Sequence, residues 1–583
     1  MRNFPSSLKF QIFTLSVATV MVVLTGCVST VVRWEHVPVK QPFILGAQYA
    51  ASTGNAGCET VEVFVANPTS SSITFTKAVL DGEELPSIEE AVARQTARRF
   101  QFDIGGRTVA APPSLAFADE RATWWQFYPS ATIPAGGSGL FQINFKNAAG
   151  YSRSYPLALS TADGMVLEVV IPHYTPPSRR ITAVTWSPDG RVANIQYTRG
   201  SAPENVFING GVCANFRLLT AAGQGNPGVV VVPFEKPVAQ GASVLVELDF
   251  GADGVRRAFV RASPGILIDG NGWENEKQLS KTIRNEYGFD DVSTIYPLSY
   301  DVACNDTRAN RHGNSAPDVA IARAKAYRKE PGRLTGVDFC TALYASIWNI
   351  YAPLTDAVVV KPYQLHWGSD PTRFIESEDE HITRAVSAAS ARPTVWVPER
   401  FKRNRYVEGE ELKVLAWTAL LRGVKGIRYH YWKNNTEKPF VECPELGIAL
   451  QTLNTDIRKV RAVLSPLVSH AVRINREQRL TLYEGWCGDA GVLLLARNMR
   501  YTTDESPNDN GANPRFHVDA SENIPLSFTP PLWLHPAAPV DLLTDEKFLF
   551  VKTDSGALSI TLPQLNSYRL VWIANTDSTR VQK

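Results

Sequence analysis

The chain lacks any cysteine pair spaced CxxC, and its seven cysteines are spread thinly over 583 residues. Zinc ribbons and fingers draw their thiolates from close pairs, so that class is excluded. Also missing are a P-loop, a GxSxG elbow, an HExxH pair and a dinucleotide fingerprint set between a strand and a helix. Nucleotide-driven chemistry and serine hydrolysis therefore find no footing. Charge of one sign is not in excess: 59 Lys and Arg face 57 Asp and Glu, for a net charge of +2. Phosphate backbones require a strong basic surplus, so nucleic acid is not an expected partner. The one local basic cluster, Arg400, Lys402, Arg403 and Arg405, reads as a solvated loop.

Long hydrophobic runs are scarce except at the start. Arg2 and Lys9 precede "FQIFTLSVATVMVVL", and Leu24-Thr25-Gly26-Cys27 follows. A charged n-region, a short apolar h-region and a small-residue cleavage site make a secretory signal. The cysteine after Leu-Thr-Gly resembles a bacterial lipoprotein lipobox. That resemblance implies cleavage after residue 26, lipid on Cys27 and a membrane-tethered protein. Val28 is not the aspartate of inner-membrane retention, which points to the outer membrane. The other six cysteines carry no pairing pattern, and buried free thiols are the plain reading.

Residues 27–262 read as all-β. Short alternating runs such as "TVEVFVANP", "GLFQINF", "VANIQYT" and "SVLVELDF" are bounded by Gly, Pro, Asn or Ser. A weak internal repeat relates "TKAVLDGEEL" (76–85) to "ENVFINGGV" (204–212), each a strand entering an Asp-Gly or Asn-Gly turn. Two immunoglobulin-like sandwiches, 27–175 and 176–262, account for this, with the proline-rich 173–180 as the boundary. Such modules are usually scaffolds and are assigned no chemistry.

Past Pro264 the period changes. Strand-like "GILID", "VSTIYPLSYD", "RLTGVDFC", "AVVVKPYQL", "PTVWVPE" and "GIRYHYW" alternate with helical segments. Alternation of this kind predicts βα units on a parallel sheet over 263–468. In "GEELKVLAWTALLR", Leu412, Leu415, Ala416, Ala419 and Leu420 form one stripe facing the sheet. Gly423 and Gly426 supply the left-handed cap and a tight turn. A long helix over 444–464 closes the unit, and 469–583 reads as a C-terminal antiparallel β-domain.

In a βα barrel, function collects at the carboxyl ends of the strands. Standing there are Asp269, Asp301, Asp338, Tyr363 with His366 and Trp367, Glu399, and Tyr429 through Trp432. Paired carboxylates among aromatic rings suit glycosidic cleavage: one acid protonates the leaving oxygen, and the other attacks or activates water. For any single carboxylate, a helix cap or a loop ion pair is the commoner role, and the reading rests on several at matched strand ends. "DGNGWENE" (269–276) has oxygen ligands at calcium-like spacing but lacks the full loop pattern. Neither metal nor cofactor is expected.

The run from "DAVVVKPYQ" through "RPTVWVPERF" to "GEELKVLAWTALLRGVKGIRYHYW" resembles a family of glycoside-hydrolase-like (β/α)8 proteins found among bacterial lipoproteins and secreted proteins. The residues that carry the likeness include Asp356, Trp396, Glu410, Glu411, Gly423, Lys425 and Gly426. It implies that "TVWVPE" is strand seven and "GIRYHYW" strand eight, with Glu399 where retaining glycosidases of this type place their nucleophile. The acid should end strand four, where the family often shows Asp-Glu-Pro. This chain has "SYDVACND", with Asp301 and no following glutamate, so Asp338 is held as a substitute. Only about thirty residues separate the second sandwich from strand four, too few for three βα units.

The expectation is two N-terminal β-sandwiches, a central and incomplete β/α TIM-type barrel, and a C-terminal antiparallel β-sandwich. Glu399, Asp301 and Asp338 are the candidate catalytic residues. Tyr363, His366, Trp367, Tyr429, Tyr431 and Trp432 are the candidate sugar platform. The alternative is a non-catalytic surface lipoprotein that binds carbohydrate or protein through a degenerate barrel.

Overall fold

The computed structural model describes residues 41–50, 59–87, 90, 101–104, 107–110, 124–128, 130–145, 154–173, 179–198, 201–219, 227–263, 265–270, 281–290, 298–300, 334–340, 348, 352–362, 374–398, 407–429, 444–503, 516–554 and 556–578. Most of these residues lie in β-sheet, and antiparallel sheets dominate.

The amino-terminal part pairs an antiparallel sheet of Phe43–Tyr49, Glu59–Ala66, Ser138–Phe145 and Trp124–Tyr128 with a second sheet around Ile73–Leu80 and Tyr155–Thr161. Val61, Val63, Phe141 and Ile143 of the first meet Phe75, Leu80, Leu157 and Leu159 of the second in one core. The next part repeats the plan. Ile181–Trp186, Val192–Tyr197, Gly228–Pro233 and Arg217–Leu219 form one sheet, and Gly211–Val212, Asn205–Ile208, Ser243–Asp249 and Val255–Arg261 the other. The repeat seen in the sequence is a repeat of hairpins. Asp81 and Gly82 have φ of 53° and 83°, Asn209 and Gly210 have 49° and 82°, and in each case the two residues join paired strands. Two successive left-handed residues give the turn whose twist matches that of its strands.

Six parallel strands follow: Leu267–Asp269, Leu298–Tyr300, Leu334–Cys340, Ala357–Lys361, Thr394–Trp396 and Gly426–Arg428. Numbered along the chain, their spatial order is 1-6-5-4-3-2, which sets the first beside the last. Among the described residues no pairing joins the first strand to the second, so a closed barrel is not seen. Among the described residues "GILID" pairs only over Leu267–Asp269, and in "GIRYHYW" the strand Gly426–Arg428 ends before Tyr429. Ile268, Val358, Val360, Trp396 and Ile427 face the core shared with helices Phe374–Ala389, Gly409–Leu421 and Pro444–Leu464.

From Val414 onward helix Gly409–Leu421 is buried on all sides, and not along one stripe as its spacing suggests. Its second side packs on helix Pro444–Leu464 and on the C-terminal strands Leu480–Trp486 and Gly491–Asn498. Gly423 caps it with φ of 98°, its amide bonding the Leu420 carbonyl at 3.0 Å. Gly426 has another role than the predicted turn. A side chain there would meet Leu267 and Val395 at 3.1 Å, so glycine is needed for close strand approach.

The C-terminal part sets the sheet Val468–Asn475, Leu480–Trp486, Gly491–Asn498, Tyr568–Ala574 and Val540–Asp541 against Ser521–Phe528, Leu558–Leu565 and Phe550–Lys552. Strand Gly491–Asn498 is buried throughout: Val492 and Leu494 face the smaller sheet, Leu493 and Leu495 the helices. Polar contacts fix the same junction. Lys425 donates to the carbonyls of Leu464, Ser465 and Leu467 at 3.1, 3.1 and 2.5 Å, and burial pulls its ammonium down to about 7. Asp379 accepts two bonds from Arg422 (2.6 and 3.0 Å) and one from the Tyr483 hydroxyl (2.7 Å).

Candidate functional site

The parallel sheet has two faces of different character. Ile268, Val337, Val358 and Val360 lie on the helix side. Leu267, Leu334, Ala357, Val359, Val395 and Val397 form a separate apolar cluster on the other side. Alternation along a strand then fixes what stands above that cluster at the carboxyl edge. Asp269 lies two residues past Leu267, Lys361 two past Val359, and Arg428 two past Gly426.

All three are buried, at 0%, 2% and 4% exposure respectively. Asp269 and Arg428 are direct register partners on neighbouring parallel strands, and Arg428 Nε donates to Asp269 Oδ2. Charges so far from water are costly unless paired, so this end of the sheet is a charged floor on an apolar cluster. Nearby, Asp290 accepts from the Ile268 amide at 2.9 Å and from Arg461 at 2.9 and 2.8 Å. That carboxylate ties helix Pro444–Leu464 to the first strand and does not face the floor.

Of the residues singled out by sequence, Asp338 lies in the third parallel strand, in register with Val359. Tyr429 has no exposed face (0%). Its hydroxyl shares a 3.1 Å hydrogen bond with Asn454 Oδ1, and its ring packs on Phe289 at 5.7 Å between centroids. A ring enclosed in the core cannot stack on a sugar, so Tyr429 leaves the platform. Glu399, Asp301, Tyr363, His366, Trp367, Tyr431, Trp432 and Cys27 lie outside the described residues. Arg428 and Lys361 were not singled out by sequence reasoning. The signal was the period of two, which places each on the same face as the apolar cluster once the strand limits are known. Among the described residues no group of three or more His, Cys, Asp or Glu could hold a metal ion.

No family model matches the chain, and no curated protein does. Similar solved structures include an α-amylase from H.orenii, at 10% identity over 47% of this chain and TM-score 0.28. This chain spans 60% of that amylase. A bacterial fucosidase with a bound inhibitor aligns at 10% identity over 53% of this chain and 83% of its own, TM-score 0.25. A GH29 α-L-fucosidase from Bacteroides thetaiotaomicron aligns at 9% identity over 50% and 79%, TM-score 0.24. TM-scores this low say nothing about the fold or the activity of this chain.

Proposed function

We propose that the protein is a carbohydrate-active, glycoside-hydrolase-like protein working at the carboxyl edge of its parallel sheet. The observation that carries this reading is the buried Asp269–Arg428 pair with Lys361, raised on one apolar cluster at that edge. Polar ligands are gripped where charge is held pre-oriented and out of water. The placing of the first strand beside the last is the order a β/α barrel needs, and catalytic groups of such barrels gather at this end. Glu399 follows Val397 by two residues and is the proposed nucleophile or base. Asp301 is the proposed acid, with Asp338 as its substitute. Tyr363, His366, Trp367, Tyr431 and Trp432 are the proposed sugar contacts.

A second reading, a glycan-binding protein without turnover, draws on a specific observation. The one strand-end carboxylate with a described side chain, Asp269, is engaged by Arg428 and is not poised as an acid. A panel of oligosaccharides scored for both release and binding separates the two. Release by the wild type that falls at least a hundredfold in Glu399→Gln supports hydrolysis. Binding without release, unchanged in that variant, supports the second reading. Neither release nor binding refutes both.

Export and lipid attachment at Cys27 belong to the same proposal. Among the described residues no helix is long and apolar enough to cross a membrane. Labelled fatty acid should enter the wild type and not Cys27→Ser; equal labelling of the two defeats the anchor.

A further inference from the structure

We propose that a cavity of about 390 Å³, where both N-terminal sandwiches meet the parallel-sheet domain, binds a sugar-sized organic anion carrying a carboxylate, sulfate or phosphate group. It is separate from the strand-end floor and does not depend on that floor being catalytic. Its walls come from strands Phe43–Tyr49 and Val255–Arg261, the chain around Arg179, and the turn after helix Phe374–Ala389.

Among the described residues five arginines line it (Arg179, Arg180, Arg256, Arg257 and Arg392), and Glu62 is the only carboxylate that does. Three of the five are partly neutralised. Arg392 bonds Glu62 at 3.1 Å, Arg257 bonds Glu247 at 3.0 Å, and Arg179 bonds Asp253 at 2.6 Å.

Arg256 is the least compensated. It donates Nε to the Arg179 carbonyl at 2.9 Å and Nη1 to the Val255 carbonyl at 3.2 Å, and no carboxylate among the described residues forms an ion pair with it. Burial pulls it below its ordinary value. Asp253 opposes that fall, and the charges of Arg179 and Arg257 add to it. Next to it, Arg179 Nη1 is buried with no hydrogen-bond partner. The Arg256 guanidinium, fixed by two backbone carbonyls and without an ion pair among the described residues, is a preset donor for an oxyanion.

The arrangement is built. Gln48 locks the first wall to the second, giving Nε2 to the Arg257 carbonyl at 2.9 Å and accepting from the Arg257 amide at 3.3 Å. A side chain at Gly46 would come within 2.7 Å of Arg257 Nη1, so glycine leaves room for that guanidinium. Tyr49, Pro172 and Pro353 add apolar surface for the body of the ligand. The volume is at the lower end of the range for small-molecule sites and suits one or two sugar rings.

Calorimetric titration of the full chain tests this with galacturonate, glucose 6-sulfate and glucose 6-phosphate as probes. Glucose controls for the ring, and inorganic sulfate and phosphate control for the charge. At least one sugar anion should bind tenfold or more tightly than both glucose and the inorganic ions, and the preferred group identifies the source. Arg256→Gln and Arg180→Gln should each weaken it at least tenfold. Both side chains are partly exposed, and circular dichroism checks that each variant folds; if one does not, the other carries the test. Absence of binding at about 10 mM, binding no tighter than that of the inorganic ions, or binding unchanged in the folded variants overturns the proposal.

Discussion

Substitutions at Asp269 and Arg428 test the charged floor in stability and in function together. The pair is nearly out of water, at 0% and 4% exposure, and the two residues sit opposite each other on the first and sixth parallel strands. Asp269→Leu leaves a guanidinium buried beside an apolar cluster, and Arg428→Met leaves a carboxylate there. Removing one member of such a pair costs about 3–5 kcal/mol, because the remaining charge cannot be rehydrated. Removing both takes away the two desolvation costs together, so the double variant should return to within about 1 kcal/mol of wild type. Urea unfolding followed by tryptophan fluorescence reads this out. With a slope of about 2–3 kcal/mol/M, each single variant should lower the midpoint of the affected transition by about 1–2 M. Trp396 and Trp417, both fully buried in the adjoining core, report on that transition. The double variant should nevertheless lose glycan binding or release, since the polar grip is gone. Single variants that cost less than about 1 kcal/mol would show that the pair is solvated. A double variant with undiminished glycan activity would show that the floor is no part of the site.

Three other outcomes follow from the packing. Asp379→Ala strips the acceptor from Arg422 and Tyr483 where helix Phe374–Ala389 meets the C-terminal sheet, so it should cost about 3–5 kcal/mol; Tyr483→Phe should cost about 1 kcal/mol, and equal costs would contradict the network. Lys425→Met leaves three carbonyls without their donor and should cost about 3 kcal/mol near neutral pH. Because its folded value lies well below 10.5, the unfolded chain binds more protons above about pH 7; wild-type stability should rise from there toward pH 10, a slope Lys425→Met lacks. His470 stacks on Trp486 at 3.8 Å with both ring nitrogens unbonded, and burial, with Arg473 adding, pushes it down to about 3. Its stability is present above 6.5 and is lost as pH falls toward 3. Wild type should therefore lose about 2 kcal/mol relative to His470→Phe between pH 7 and pH 5. Glu484, 3.7 Å away and itself raised by burial, is common to both proteins, and no difference between them would refute the assignment.

Local rules determined a good part of this protein. Alternating apolar runs made the N-terminal strands, Asp-Gly and Asn-Gly made the hairpins, and Gly423 ended its helix, because each depends on a few neighbouring residues. The 3.6-residue period likewise delimited Pro444–Leu464 residue for residue. Strand length in the parallel sheet was not legible, since pairing requires a neighbour at the right height and an apolar run continues without one. In "GIRYHYW" the strand therefore ends at Arg428, and Tyr429 passes into the core where a sugar contact was expected. Nor could spacing show that helix Gly409–Leu421 is covered on both sides, because its second cover arrives from strands some seventy residues downstream. The charged floor and the arginine-lined cavity were decided by tertiary structure alone. Asp269 and Arg428 stand 159 positions apart, and Glu62 and Arg392 stand 330 apart. Ion pairs act over a few ångströms, and only the folded chain brings such distant charges that close.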